Sequence, residues 1–433
     1  METKKANGWT LIPFIVMMAL FLCGFPMVTA CLCAVALTFA FAKGKMSERF
    51  SVFAKGAGDE GVLIMLMIFS LSGAFSSVAK AMGGRDAVVN LGLSLVPTQF
   101  LLGGVFIIAM LMSTACGTSM GTIAAITPIA VGVAEKANLN MVMLLGAVVG
   151  GAMFGDNLSF ISDTTIAATT GAGCEMKDKF RMNLLIALPA ALVTVIAFAL
   201  MSSGTEPITG DLSYSLVKIV PYVYVLIAAI CGMDVFVVLI SGTFLAGLVG
   251  IFTGSLTIAT FAQAIGSGMS GMMATSIVAI LLRGLIGIIT VYGGIDWLVD
   301  VLHRRVHTRK GAEYCIGFMS GLLDFALINN TIAIMIAAPI AKDIADEHHI
   351  APKRNASLLD IFACAVHGLA PHAGGMLTLS GFYSALNPLA VVQYNFYCYF
   401  LLIAAIITIQ FGLLRTPEEK EYIRQQQEKA AKN

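Results

Sequence analysis

Long stretches of this chain contain no charged residue, and they restrict its fold more than any other feature of the sequence. No Lys, Arg, Asp or Glu occurs in residues 87–134, 182–205 or 361–414. Since about 20 consecutive apolar residues cross the hydrocarbon core of a bilayer, each stretch is long enough to span a membrane. Over the whole chain, 58% of the residues are apolar and 12% are charged. These values predict an all-α polytopic membrane protein and argue against a soluble enzyme or a nucleic-acid binder.

Several apolar segments are too long for a single span and contain residues that favour helix breaks. They are 87–134, 139–173, 311–341 and 355–388, and Gly, Pro, Ser, Thr or Asn interrupts each of them. Breaks are tolerated inside a membrane where neighbouring helices or a cavity satisfy the freed backbone groups. We therefore expect broken or re-entrant helices and about 10–13 membrane segments in total.

The two halves of the sequence match each other weakly. Residues 83–86 (Gly-Gly-Arg-Asp) correspond to 293–296 (Gly-Gly-Ile-Asp), and residues 127–130 (Thr-Pro-Ile-Ala) correspond to 338–341 (Ala-Pro-Ile-Ala). The matches keep the same order along the chain, which favours a true repeat over a chance similarity of small apolar words.

Basic loops indicate that the two halves have opposite orientations. Loops 43–55 and 303–310 are both rich in Lys and Arg, and such loops usually lie on the cytoplasmic side. The single span after the first loop then places residues 83–84 outside, whereas their counterparts at 293–294 lie beside the second loop, inside. An inverted repeat with interrupted helices in equivalent places is typical of secondary transporters, which hold their substrate near the bilayer midplane.

These features divide the chain into five predicted parts. They are an N-terminal part with one or more membrane segments (1–49), a first transport repeat (50–205), a linker with one or more connecting spans (206–257), a second, inverted transport repeat (258–390), and a final span with a charged tail (391–433).

The densest polar cluster inside an apolar segment lies at residues 155–165 and contains two aspartates. Each carboxylate at membrane depth costs about 2.5–3.5 kcal/mol, which favours a functional site. If the helix unwinds there, freed carbonyls and side-chain oxygens can converge with one or both carboxylates on Na+. The same carboxylates can take up protons instead. The alternative is that both aspartates cap half-helices and pair with a buried arginine. The candidate ion- and proton-binding residues are Asp156, Asn157, Ser159, Ser162, Asp163 and Thr164.

The second half has a polar break of its own. Asn329, Asn330 and Thr331 interrupt an apolar run at the place where the first half has Thr118 and Ser119. We expect both places to be crossing points of broken helices, with side chains that line the transport path.

Three further ionisable residues lie in apolar runs, and each has two interpretations. His367 and His372 either hydrogen-bond between helices or serve in a proton relay or a substrate site. Arg283 has no acidic residue close to it in the sequence. It either pairs with an aspartate of another helix or receives the carboxylate of a substrate.

The motif at residues 155–165, GDNLSFISDTT, closely resembles the signature of the NhaC-type Na+/H+ antiporter family, within the wider ion-transporter superfamily. The upstream segment 117–122, GTSMGT, with TPI at 127–129, is similar to the small-residue segment that precedes this signature. The resemblance covers residues 50–390. Many members of the family have Pro where Phe160 stands, and the Phe form is similar to a branch assigned to amino-acid transport.

The resemblance implies Na+ coupling, a bacterial inner membrane and an alternating-access mechanism. It also implies that Asp156 and Asp163 are the ion and proton carboxylates. Ser159, Ser162 and Thr164 would then be neutral ligands.

Two functional hypotheses follow. The first is Na+/H+ antiport, and the alternative is Na+- or H+-coupled transport of an amino acid or a small carboxylate. Both describe a transporter rather than an enzyme, with Na+ and H+ as transported or coupling ions and no cofactor. The expected partners are these ions, a small organic solute under the alternative, and the lipid bilayer, while a homo-oligomer stays open. An ATP-driven pump is disfavoured because the sequence has no Gly-x-x-x-x-Gly-Lys-[Ser/Thr] run.

Overall fold

A computed structural model describes residues 6–41, 44–95, 97, 100–160, 162–202, 212–231, 233–303, 308–383, 386–416 and 419 of the chain. Within these ranges all regular secondary structure is helical. Seven of the described helices are long and apolar enough to cross a membrane, and five further apolar helices are shorter. The prediction of an all-α polytopic membrane protein is therefore confirmed. Arg304 and Arg305 of the second basic loop, and residues 420–433 of the charged tail, lie outside the described ranges.

The described residues up to 57 form three helices, of which the third begins the predicted first repeat. They are α1 (Ile12–Leu22), α2 (Met27–Phe41) and α3 (Met46–Ala57), and a 3-10 turn at Gly8–Leu11 precedes them. The chain reverses between α1 and α2, because Gly24 adopts a left-handed φ of 90° that favours glycine and Pro26 cannot continue a helix from upstream. The apolar segment 10–42 is thus two packed helices rather than one long span.

The first half of the remaining chain forms seven helices. They are α4 (Glu60–Ala81), α5 (Gly84–Leu95), α6 (Leu101–Cys116), α7 (Ser119–Ala137), α8 (Met141–Leu158), α9 (Asp163–Ala172) and α10 (Met176–Met201). Two helices, α11 (Leu216–Ile230) and α12 (Val235–Phe252), follow and pack against each other.

The second half forms nine helices in a similar order. They are α13 (Ile258–Gly271), α14 (Met273–Val291), α15 (Gly294–His303), α16 (Arg309–Leu327), α17 (Asn330–Glu347), α18 (Pro352–Leu369), α19 (Gly374–Phe382), α20 (Pro388–Gln393) and α21 (Phe396–Gln410). A break of four residues separates α8 from α9, and another of four separates α18 from α19, so the expected interruption of both segments is confirmed.

Helices α6 and α7 form a re-entrant hairpin, which we call hairpin 1. Arg85, in the first turn of α5, pairs with Glu135 near the end of α7, and Lys136 donates to Asn90 of α5. Because α5 directly precedes α6, these contacts place the start of α6 and the end of α7 on the same face of the protein. The tip reverses at Gly117, whose φ of 68° is left-handed, and Thr118 then caps α7.

Helices α16 and α17 form the corresponding hairpin 2. Arg309, at the start of α16, donates to the carbonyl oxygens of His348 (3.3 Å) and His349 (2.5 Å), just after α17 ends. The tip reverses at Ile328, which takes a left-handed φ of 59°, and Asn329 caps α17.

The two hairpins open on opposite faces, because α4 and α14 run antiparallel. The start of α4 lies beside the later part of α14, where Asp59 pairs with Arg283, and the middle of α4 lies beside the end of α13, where Gly73 meets Gly268. A Cβ on Gly73 would come within 2.3 Å of the Gly268 carbonyl oxygen, so this close crossing requires glycine. Hairpin 1 is anchored beyond the end of α4 and hairpin 2 beyond the end of α14, and their tips therefore approach the interior from opposite faces.

Candidate functional site

The two hairpin tips meet at Asp156, near the end of α8. The Ser119 backbone N–H, at the start of α7, donates to Asp156 Oδ1 over 3.1 Å. The side-chain amide of Asn330, at the start of α17, donates to Asp156 Oδ2 over 3.4 Å. Asp156 is only 3% exposed. The N-terminal end of a helix carries a partial positive charge, so two helix starts stabilise this buried carboxylate.

A buried lysine that the sequence analysis did not single out lies beside the same break. Lys179 of α10 is 1% exposed, and its Nζ lies 2.8 Å from Asp360 Oδ2, 3.0 Å from the Asn157 carbonyl oxygen and 2.7 Å from Thr165 Oγ1. An ammonium group has three donors, and each has a partner here. The lysine therefore joins α8, α9 and α18 at one point.

Asn183, one turn further along α10, strengthens this junction. Its Nδ2 donates to the Asn157 carbonyl oxygen over 3.0 Å and to Asp360 Oδ2 over 2.7 Å. The last carbonyl oxygens of a helix lack partners within the helix and carry partial negative charge. Lys179 and Asn183 supply both the hydrogen bonds and the positive charge that the broken end of α8 requires.

A second buried pair lies at the other break. His367 Nδ1 of α18 is 3.0 Å from Asp324 Oδ1 of α16, and both residues are buried. His372 Nε2 is 2.9 Å from the Phe325 carbonyl oxygen, and its ring packs edge-on against Phe14 and Phe325. Both histidines hydrogen-bond to another helix, which is one of the two interpretations given above.

The two aspartates of the 155–165 motif do not come together. Asp156 is buried, but Asp163 is exposed at the first position of α9. Asp163 lies apart from the buried break, because the unwound segment ends at Ser162 and α9 begins with an exposed residue. Its role in ion binding stays a prediction. The buried carboxylate that joins the α8 break is Asp360, which the second half contributes.

The neutral oxygens of the motif stay close to the break. Ser162 Oγ and Thr164 Oγ1 are 2.9 Å apart, and Thr164 Oγ1 donates to the Asp156 carbonyl oxygen over 3.5 Å. The Ser159 carbonyl oxygen accepts from Thr165 Oγ1 over 2.8 Å. Asn157 Nδ2 donates to the Met153 carbonyl oxygen over 2.9 Å and to the Tyr397 hydroxyl of α21 over 3.3 Å.

The predicted path residues at the hairpin tips have different roles. Thr118 and Asn329 cap α7 and α17 through Gly121 N (3.3 Å) and Ile332 N (2.8 Å). Thr331 donates its backbone N–H to Asn330 Oδ1 over 3.0 Å. Among the contacts of the described residues, Ser119 and Asn330 are the tip residues that reach Asp156.

Arg283 forms an ion pair, which is one of its two predicted interpretations. Its Nη2 lies 2.7 Å from Asp59 Oδ1, and its Nη1 donates to the Leu327 carbonyl oxygen over 3.2 Å. Leu327 is the last residue of α16, so Arg283 also satisfies a free carbonyl at the tip of hairpin 2.

The sequence contains one signal that points to the missed lysine. Lys179 and Asn183 are spaced i, i+4 and so share a face of α10, as do Asp360 and Cys364 on α18. Lys179 follows residues 175–178, three of which are charged, as is typical of a solvated loop. From this context a solvent-exposed Lys179 would be expected, although it is buried.

Broken helices whose ends meet at buried ionisable groups, in a polytopic helical protein, define a membrane transporter. The sequence profile of the Na+/H+ antiporter family matches residues 8–203 and 207–415. The chain belongs to the Na+/H+ antiporter family, and the resemblance derived from the 155–165 motif is confirmed.

Several relatives are similar over different lengths. The Na+/H+ antiporter NhaC of Alkalihalophilus pseudofirmus is 24% identical over 97% of this chain and 98% of its own length. NhaC of Bacillus subtilis is 24% identical over 89% and 90%. The malate-2H+/Na+-lactate antiporter of Bacillus subtilis is 33% identical over 33% of this chain and 30% of its own. Among solved structures, the YdaH transporter of Alcanivorax borkumensis is similar with a TM-score of 0.44 at 12% identity, over 94% of this chain and 99% of that one.

Proposed function

We propose that this chain exchanges Na+ for H+ across the bacterial inner membrane by alternating access, and that Asp156 binds the two ions in turn. The observation that carries the proposal is the set of partners around Asp156. In the described part of the chain, its side chain accepts hydrogen bonds from the backbone N–H and the side chain of Ser119 and from the Asn330 amide, and none of these groups is charged.

The other two buried carboxylates of this region already have basic partners. Asp360 pairs with Lys179, and Asp324 pairs with His367. An ionised carboxylate in a low-dielectric interior is costly unless a cation balances it. Among the described residues, no charged group hydrogen-bonds Asp156, and the neighbouring His367 is already paired with Asp324. Either Na+ or a proton would balance the charge of Asp156.

Neutral oxygens near Asp156 suit a hard cation. The unwound segment between α8 and α9 frees backbone carbonyls, and the Thr164 hydroxyl lies one hydrogen bond from the Asp156 backbone. Broken helices in transporters coordinate Na+ with such groups. We propose that Asp156, these carbonyls, Ser162 and Thr164 form the ion site, and that exposed Asp163 lies outside it.

The arrangement of the halves supports alternating access. Hairpins 1 and 2 open on opposite faces, yet residues of both tips bind Asp156. Gly56 of α3 contacts Gly287 of α14, and Gly73 of α4 contacts Gly268 of α13. If α3 corresponds to α13 and α4 to α14, these two glycine contacts are equivalent, as expected of repeated halves. We propose that the halves are inverted repeats, and that movement of each tip in turn opens Asp156 to one face.

The test uses purified protein in liposomes that contain a pH-sensitive dye. Na+ added outside should drive proton movement in the wild-type protein. Asp156→Asn keeps the size of the side chain but removes its charge, and it should abolish this movement. Asp163→Asn is the matched control from the same motif, and it should retain exchange because Asp163 is exposed.

Wild-type exchange by a correctly inserted Asp156→Asn variant would overturn the proposal. Loss of exchange in Asp163→Asn alone would move the ion site to the start of α9. Proton movement that requires malate, lactate or an amino acid beside Na+ would replace antiport of bare ions with transport of an organic solute.

A further inference from the structure

A series of contacts connects the exposed residue Asp59 with the tip of hairpin 2, which binds Asp156. It begins at Asp59, which caps α4 through Gly61 N (3.0 Å) and whose side chain is 42% exposed. Arg283 comes next and is 8% exposed. Asp156, at the other end, is 3% exposed, so the contacts connect an exposed carboxylate with a buried one.

The contacts continue through the tip of hairpin 2. Arg283 Nη1 binds the Leu327 carbonyl oxygen over 3.2 Å. A Cβ built on Gly61 would lie 3.7 Å from Arg283 Nη2 and 3.9 Å from Asn329 Nδ2, so the arginine and the tip border the same small space. The next residue in sequence, Asn330, binds Asp156.

We propose that Asp59 and Arg283 form the gate of the ion path on the face where α4 begins. Asp59 is the first group that a cation meets, and Arg283 is the charge that holds the tip of hairpin 2 against α4 and α14. Both act as positioning residues, because neither contacts Asp156. This inference rests on the proposed ion site at Asp156.

The charges explain why the two residues must act together. An arginine at the mouth of a cation path repels Na+ unless a carboxylate neutralises it. Arg283 also spans two parts that alternating access must separate, since it lies on α14 but binds the end of α16. Opening on this face therefore requires the contact between Arg283 and Leu327 to break. A cation that arrives at Asp59 competes with Arg283 for the Asp59 carboxylate and so favours this opening.

The test compares Na+ activation from the two faces. Inside-out and right-side-out membrane vesicles carrying the full chain receive Na+ outside, and proton movement is followed. Asp59→Asn and Asp59→Ser remove the charge but keep a residue that caps helices well. Each should raise the Na+ concentration for half-maximal exchange about tenfold on the face where α4 begins, and leave the value for the other face unchanged.

Asp234→Asn is the matched control. Asp234 is an exposed aspartate that caps α12 through Phe236 N (2.8 Å), and the described residues give it no arginine partner. It should leave both faces unchanged. The double variant Asp59→Asn with Arg283→Gln removes both charges and should recover most of the lost affinity.

The outcomes separate the gate from the ion site. A change confined to one face, with recovery in the double variant, supports the gate. An equal change on both faces, or none, overturns it and leaves a helix cap with an ion pair. The ion site itself fails only if Asp156→Asn keeps exchange, which the same vesicles measure.

Discussion

The two broken helices of this protein carry different residues at the same position. Asp156 lies three residues before Ser159, where α8 ends, and His367 lies three residues before Ala370, where α18 ends. The acid binds neutral donors from both hairpin tips, whereas the histidine pairs with Asp324 of hairpin 2. Among the described residues, Asp156 therefore has only neutral hydrogen-bond donors, whereas His367 is paired with an acidic residue.

The breaks also differ in where their stabilising charges come from. At the α8 break, the lysine comes from α10 and the carboxylate from α18 of the other half. At the α18 break, both members of the pair belong to the second half. The two halves thus have helix breaks at similar positions but different charged residues beside them. The proposed ion site lies at the break where the buried carboxylate has neutral donors.

The largest expected effect comes from removing the charge that α10 supplies to the α8 break. Lys179→Met leaves Asp360 buried without its cation and leaves the Asn157 carbonyl with one donor fewer. Removing one partner of a buried ion pair costs about 3–5 kcal/mol. We expect a large drop in the thermal unfolding temperature of the purified protein in detergent, measured by intrinsic fluorescence.

Lys177→Met is the control, because Lys177 lies on the same helix but is exposed. The double variant Lys179→Met with Asp360→Leu should regain most of the stability, since an apolar pair can replace a buried ion pair with little loss. If Lys179→Met is as stable as Lys177→Met, the α8 break does not depend on α10.

A smaller effect is expected at the α18 break. His367→Gln keeps a side-chain donor toward Asp324 and should cost about 1 kcal/mol of stability. Exchange should persist in proteoliposomes, because on this interpretation His367 holds two helices together and carries no ion. If a folded His367→Gln protein loses exchange, His367 takes part in proton transfer, and the two breaks are alike in function.

Much of the fold was predictable from patterns that depend on the membrane itself. Long uncharged runs gave the spans, and residues such as Gly117, Thr118 and Asn329 marked the hairpin tips because they suit turns and caps. The turn at Ile328 was less predictable, since a β-branched residue rarely takes a left-handed conformation.

The candidate site was only partly predictable. Asp156 and Asn330 stood out because polar groups in apolar runs are costly. Asp163 stood out for the same reason, yet its side chain is exposed. The residue at which α9 begins decides whether Asp163 is buried or exposed, and the sequence does not mark that residue. The pairings of Lys179 with Asp360 and of Arg283 with Asp59 join residues far apart in sequence, and one chain alone contains no record of such contacts.

The smallest expected effect tests the link between hairpin 2 and the α8 break. Asn330→Ala removes the amide that lies 3.4 Å from Asp156 Oδ2. A neutral hydrogen bond contributes about 0.5–1.5 kcal/mol, so the Na+ concentration for half-maximal exchange should change about two- to tenfold.

Asn140→Ala is the control, because Asn140 caps the other end of α8 through Met143 N (3.2 Å) and has no contact with Asp156 among the described residues. Equal effects of the two substitutions would mean that Asn330 only stabilises its helix, and hairpin 1 alone would then connect to the ion site.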